Sequence, residues 1–132
     1  MVGETNLDTL LSSMSPKLQP QEYVFCCVDG QYSDYQALCP LASFRESEGL
    51  TLIVTKEDAS AHQLPFESVF KVITLTVHSS LDAVGLTAAV ANKLAEHDIS
   101  ANVIAAYYHD HIFVQVEKAQ AAMNALNEFT DN

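Results

Sequence analysis

Basic residues are scarce in this chain. Its 132 residues include six lysines and arginines against 17 aspartates and glutamates, for a formal net charge of −11. The six, Lys17, Arg45, Lys56, Lys71, Lys93 and Lys118, stand far apart along the sequence. Phosphate backbones are gripped by clustered cations, so this scatter argues against nucleic-acid binding. The same reasoning disfavours an anionic membrane surface. Long apolar runs are missing too, and no segment approaches the ~20 residues of a membrane span. The opening MVGETNLDTLL has neither a basic region nor a long apolar stretch, which sets it apart from a secretory signal. Cysteine is limited to Cys26, Cys27 and Cys39, with no CxxC pair. An odd count leaves one thiol over, and reduced core cysteines in a cytoplasmic protein are expected. There is no GxSxG, no Walker loop and no cysteine in a motif with a positioned histidine. Catalysis therefore finds no footing in the motifs, and no cofactor is expected.

Hydrophobic residues, in contrast, make up 48% of the chain, enough for a globular core. Thr5 and Asp8 stand at capping-box spacing, and Leu7, Leu10, Leu11 and Met14 line one helical face up to Pro16. Tyr23 to Val28 reads as a buried strand turned at Asp29-Gly30. Residues 31–48 are mixed, and Pro40 argues against a central strand there. Leu50 to Thr55 is a second strand, with a short helix expected over Glu57 to Gln63. Arg45 to Gly49 reads as a solvated turn in which Arg45 pairs with a neighbouring acid. In the second half, Phe70 to Val77 reads as a strand. Leu86, Val90 and Leu94 mark a helix over 86–97. Ile99 to Tyr107 and Ile112 to Val116 are strands, and Ala119, Ala122, Met123, Leu126 and Phe129 mark a last helix. His62 and His97 fall at helix ends on the surface. Tyr107 and Tyr108, adjacent on a strand, should point to opposite faces.

Strand, helix, strand, strand, helix is a βαββαβ unit that lacks its last strand. The first half has the complementary defect: it opens with a helix and has no strand before it. The expected fold is therefore α+β, a ferredoxin-like sandwich of two pseudo-repeated halves, 1–65 and 66–132. The halves complete each other by shared or exchanged strands, since an open sheet edge invites unwanted pairing.

The polar loop joining the 70–77 strand to its helix holds the richest chemistry. It comprises His78, Ser79, Ser80, Leu81, Asp82, Ala83, Val84 and Gly85, with Leu86 opening the helix. Free N–H groups at a helix start attract carboxylates. The serines offer hydroxyls, Asp82 suits an ammonium, and Gly85 permits close approach. The competing reading is local: Ser79 and Asp82 fit a capping box, and Gly85 serves packing alone.

VHSSLDAVGLTAAVANKLAEHDISANVIAAYYHDHIFVQV resembles an ACT domain of the aspartokinase kind. Together with FRESEGLTL at Phe44 to Leu52, the chain from about residue 20 to 128 is similar to small free-standing bacterial proteins with two tandem ACT-like halves. The resemblance implies a regulatory, non-catalytic module that binds an amino acid or similar small zwitterion at the loop 78–86. It also implies self-association, as a dimer or tetramer. Aspartokinase-type domains often place Asn directly after the Ile that opens the second strand. Here Ser100 fills that slot and Asn102 follows two residues on, so these two join the expected contacts.

His109-Asp110-His111 places an acid between two histidines. Three readings stand: a polar turn between strands that shapes an interface, a ligand contact, or part of a metal site. No Cys or Glu stands at a recognised metal spacing, and a closed zinc site needs four ligands. The alternative to a ligand-binding module is an interaction protein that assembles with itself or with a metabolic enzyme and keeps no pocket.

Overall fold

The computed structural model describes residues 7–76 and 85–130. The chain packs as two compact units: Met1–Pro20 with Lys71–Asn132, and Gln21–Phe70. The expected halves divide the sequence near residue 65, whereas packing assigns the first 20 residues to the second half. The reason lies in one strand. β1 (Pro16–Val28) runs 13 residues, far beyond the expected Tyr23–Val28. Its first five residues belong to the larger unit and its remainder to the smaller. Pro20, which has no N–H to give to a ladder, is the last residue before the division.

In the larger unit the strand order is β1, β4 (Phe70–Leu75), β6 (Asp110–Gln115), β5 (Asn102–Ala105). This is the ferredoxin-like order, with residues 16–20 as the fourth strand that 66–132 lacks. Thr76 donates from both its N–H and its hydroxyl to the Ser15 carbonyl, at 3.1 and 2.8 Å. At the other end the Lys71 ammonium reaches the Pro20 carbonyl at 2.7 Å. Ser15 meets Thr76 and Pro20 meets Lys71, so the borrowed strand runs antiparallel to β4. Ile73 and Leu75 on β4 and Ile112 and Val114 on β6 form a core with Leu86, Val90 and Leu94 of α3 (Leu86–Glu96) and Ala122, Ala125 and Leu126 of α4 (Ala119–Asn127). Met14 joins them from just beyond α1 (Leu7–Ser13). Helical spacing on one side and period-two alternation on the other make these faces meet.

α3 ends in a Schellman motif. Asp98 has a left-handed φ of 60°, Ile99 N–H donates to the Leu94 carbonyl and Asp98 N–H to the Ala95 carbonyl, both at 3.0 Å. Ile99 and Leu94 are both buried, the hydrophobic contact that accompanies this cap. Ile99 therefore closes a helix instead of opening a strand. The strand expected over 99–107 shrinks to four residues, Asn102–Ala105.

In the smaller unit β3 (Gly49–Thr55) lies between β1 and the edge strand β2 (Ala42–Glu46). Val24 pairs with Val54, and Cys26 with Leu52; these side chains, with Leu38, Leu50 and Ala59, make its core. Thr55 caps α2 (Lys56–Ala61), its hydroxyl accepting from Asp58 N–H at 3.1 Å, while Glu57 and Asp58 sit in the favourable first turn. Gly49 turns the β2–β3 hairpin at φ 152°; a Cβ there would lie 2.9 Å from Cys27 Sγ and 3.0 Å from the Val28 carbonyl oxygen. Where a ferredoxin-like unit has its first helix, residues 31–48 supply two single 3₁₀ turns, Tyr32–Asp34 and Gln36–Leu38. Two sequence expectations change here. Of the cysteines only Cys26 is buried; Cys27, pointing to the other strand face, and Cys39 are exposed. Among the described residues Arg45 makes no ion pair, and Glu46 accepts from the Thr51 hydroxyl at 2.5 Å.

Candidate functional site

β4 leads toward α3 through residues 77–84. His78, Ser79, Ser80, Leu81, Asp82, Ala83 and Val84 therefore lie outside the described residues. The helix start itself is described. Gly85 is the N-cap of α3 with φ 93°, and among the described residues no side chain caps it. No acid stands in the first turn. A capping box for this helix would pair Gly85 with Ala88, which have no side chains for it, so Ser79 and Asp82 are too far back in sequence to form one. Helix N–H groups with no side-chain cap are what an anion would meet. One expected use of Gly85 is taken by the protein. A Cβ there would come within 3.2 Å of Leu7 Cδ2, so the glycine admits a side chain of α1. Leu86 is buried in the core. Ser100 is exposed and precedes β5, while Asn102, exposed, begins it. Ser100 thus falls outside the strand, expected over 99–107, because the Schellman cap delays its start.

The His109-Asp110-His111 segment is not the turn it resembled. Ala106 N–H donates to the His109 carbonyl at 3.0 Å and Ala105 pairs with Asp110, so the hairpin tip is Tyr107-Tyr108. The two rings pack edge to face there, 5.0 Å apart, instead of pointing to opposite strand faces. Asp110 and His111 belong to β6. Alternation sends Asp110 to the face of Ile112 and His111 to the opposite face. There, Gln19 Nε2 donates to Thr74 Oγ1 at 3.2 Å, and Thr74 Oγ1 lies 3.0 Å from His111 Nδ1. The Thr74 hydroxyl donates to Nδ1 in the Nε2-protonated tautomer of His111 and accepts from Nδ1–H in the other, so either form satisfies this contact. Burial holds the His111 imidazole below its ordinary value, the neighbouring His109 adds to this, and Asp110 opposes it. Burial raises the Asp110 carboxyl, against the pull of both histidines. His109 Nδ1 is buried with no hydrogen-bond partner among the described residues. The three side chains thus do not converge, and no group of three or more His, Cys, Asp or Glu able to hold a metal occurs among the described residues. Gln19 and Thr74 were missed as site residues. The signal for Thr74 was present, a lone hydroxyl within the apolar run FKVITL, but its partners are 55 and 37 residues distant.

The arrangement is a ferredoxin-like α+β unit with a glycine-headed helix after its first strand. The ACT domain family matches this chain twice, at residues 2–71 and 67–128. The chain belongs to the ACT domain family. It is 62% identical to a Vibrio cholerae protein of unknown function, described as a possible transport protein. That match covers 95% of this chain and 96% of the other with a TM-score of 0.89. An Agrobacterium tumefaciens protein shares the fold at 12% identity, 89% coverage of both chains and a TM-score of 0.70. The regulatory subunit of aspartate kinase from Thermus thermophilus does so at 10% identity, covering 89% of this chain and 97% of that one, with a TM-score of 0.67. No curated protein matches the chain. No helix among the described residues is long and apolar enough to cross a membrane.

Proposed function

We propose that this chain is a cytoplasmic regulatory module that binds an amino acid or similar small zwitterion and catalyses no reaction. The ligand's carboxylate meets the N–H groups at the start of α3. His78 to Val84, with Asp82 facing the ammonium, complete the site beside Gly85 and Leu86, and Ser100 and Asn102 approach from the β5 side. The observation that carries this reading is the start of α3, where Gly85 heads the helix with no side-chain cap among the described residues and no acid in the first turn. Family membership supports it. The sequence repeat, 1–65 and 66–132, sets the two ACT-like halves, and a dimer or tetramer is the working assembly, with binding coupled to association. Nucleic acid and membranes are not partners on this reading.

Calorimetry against the standard amino acids tests it. At least one should bind with Kd below about 1 mM, and Asp82→Ala should abolish that binding. If none binds, and Asp82→Ala changes stability alone, the reading fails. A second reading has its own support: Leu7 occupies the approach that Gly85 opens. On that reading the junction is packing, and the chain is an interaction protein with no pocket. Sedimentation without ligand separates the two, because only the second requires full assembly in its absence.

A further inference from the structure

Within the smaller unit, beside the start of α2, lies an open groove of about 370 Å³ lined by Gln21, Glu22, Thr55, Lys56, Glu57 and Ser60. Small-molecule sites run from roughly 300 to 1,000 Å³, so its size suffices for one. The strand register explains its contents. Val24 and Val54 pair on the face that builds the smaller core. The register ends where Tyr23 pairs with Thr55; the next residues outward are Glu22 on β1 and Lys56, which opens α2. An apolar ladder thus ends in one charge of each sign. Glu57 adds a second carboxylate.

These charges do not satisfy one another. Among the described residues the ion pairs involve Lys93, Glu96, His97 and Glu128, and none involves Glu22, Lys56 or Glu57. Nor is the groove short of neutral polar groups. The Thr55 hydroxyl accepts from Asp58 N–H and keeps its own hydrogen to donate. Gln21 and Ser60 add an amide and a second hydroxyl.

We propose that this groove binds a small cationic zwitterion, a molecule with one carboxylate and two basic nitrogens, such as a basic amino acid. Lys56 takes the carboxylate, and Glu22 and Glu57 take the two cationic groups. The charge count selects the class. Two carboxylates against one ammonium leave an excess negative charge, which a neutral zwitterion cannot match and a basic one does. The groove lies outside the 78–86 junction and does not depend on it. Exposed pairs are individually weak, so the affinity is about millimolar.

Amide chemical-shift titration of the full chain tests this with lysine, norleucine and cadaverine as probes. Lysine should shift Glu22 and residues 56–60 and saturate. Norleucine lacks the second cation and cadaverine lacks the carboxylate, so each should bind about tenfold more weakly. Lys56→Met, and separately Glu22→Gln, should weaken lysine about tenfold while the rest of the spectrum reports an intact fold. Asp82→Ala should leave this binding unaltered. The proposal is overturned if lysine leaves residues 21–60 unshifted, if Lys56→Met binds as well as the parent, or if cadaverine matches lysine. Lysine shifts confined to Gly85–Ala89 and lost in Asp82→Ala would support the junction site and overturn this one.

Discussion

The two units use one plan and execute it differently after the first strand. In the larger unit the chain forms an 11-residue helix, α3, whose Leu86, Val90 and Leu94 cover the sheet. In the smaller, the same stage is two single 3₁₀ turns. Gln31 N–H donates to Asp34 Oδ2 at 2.9 Å and the Tyr35 hydroxyl donates to the Asp29 carbonyl, so this segment satisfies its polar groups locally. The contrast is chemical as well as architectural. A true helix start offers an anion several aligned N–H groups, and a 3₁₀ turn does not. At this stage of the plan the larger unit has such a helix start, and the smaller presents its charges elsewhere, beside α2.

The largest change should come from the helix that distinguishes the units. Leu94 is fully buried, and Leu94→Ala should cost about 3 kcal/mol through lost contact and a residual cavity. Hydrogen exchange should show the loss in β4, β6 and α4. Equal loss of protection in β3 would erase the distinction between the units. Thr74→Val comes next. It strands Gln19 Nε2 and His111 Nδ1 together, and should lower urea stability by about 2 kcal/mol. A change near zero would mean that this polar row does not hold the borrowed strand. Gly85→Ala should cost about 1 kcal/mol, from the positive φ and the crowding of Leu7. Gly49→Ala sharpens this comparison, because there the obstruction is partly backbone, the Val28 carbonyl, and cannot swing aside.

Smallest is a pH effect confined to the larger unit. An imidazole held below its ordinary 6.5 stays neutral in the fold, while the unfolded chain takes up a proton as pH falls through that value. The stability associated with neutral His111 is therefore complete above this pH and declines below it, down to the folded value. Asp110 acts with the opposite sign. Its raised carboxyl binds a proton more readily when folded, so the fold gains as pH falls toward 3.8. His111→Asn should flatten the slope of urea stability between about pH 7 and 5. An unaltered slope in this variant would assign the effect to another group.

Element by element, the periodic segments were legible. Leu86, Val90 and Leu94 announced α3, and the missing last strand of 66–132 was visible from the order of elements alone. Junctions were less so. The tip at Tyr107-Tyr108 was hidden because His109-Asp110-His111 looked more turn-like than two tyrosines, and backbone pairing overrode local preference. The shortened β5 was hidden because Ile99 reads equally well as strand or as the apolar closure of a helix. For the candidate site, sequence pointed to the loop before α3 and to the helix it heads. It could not indicate that Leu7 covers Gly85, since a close approach from another helix leaves no mark in the local pattern.

By itself the sequence determined the kinds of element, their order and the need for a strand from elsewhere, because these follow from hydrophobic period and chain polarity. Only the tertiary structure decided which strand filled the gap, which polar groups met across it, and where unpaired charges gathered. Those outcomes depend on contacts between residues some 37 to 61 positions apart, whose free energy exists only once the backbone has folded back on itself.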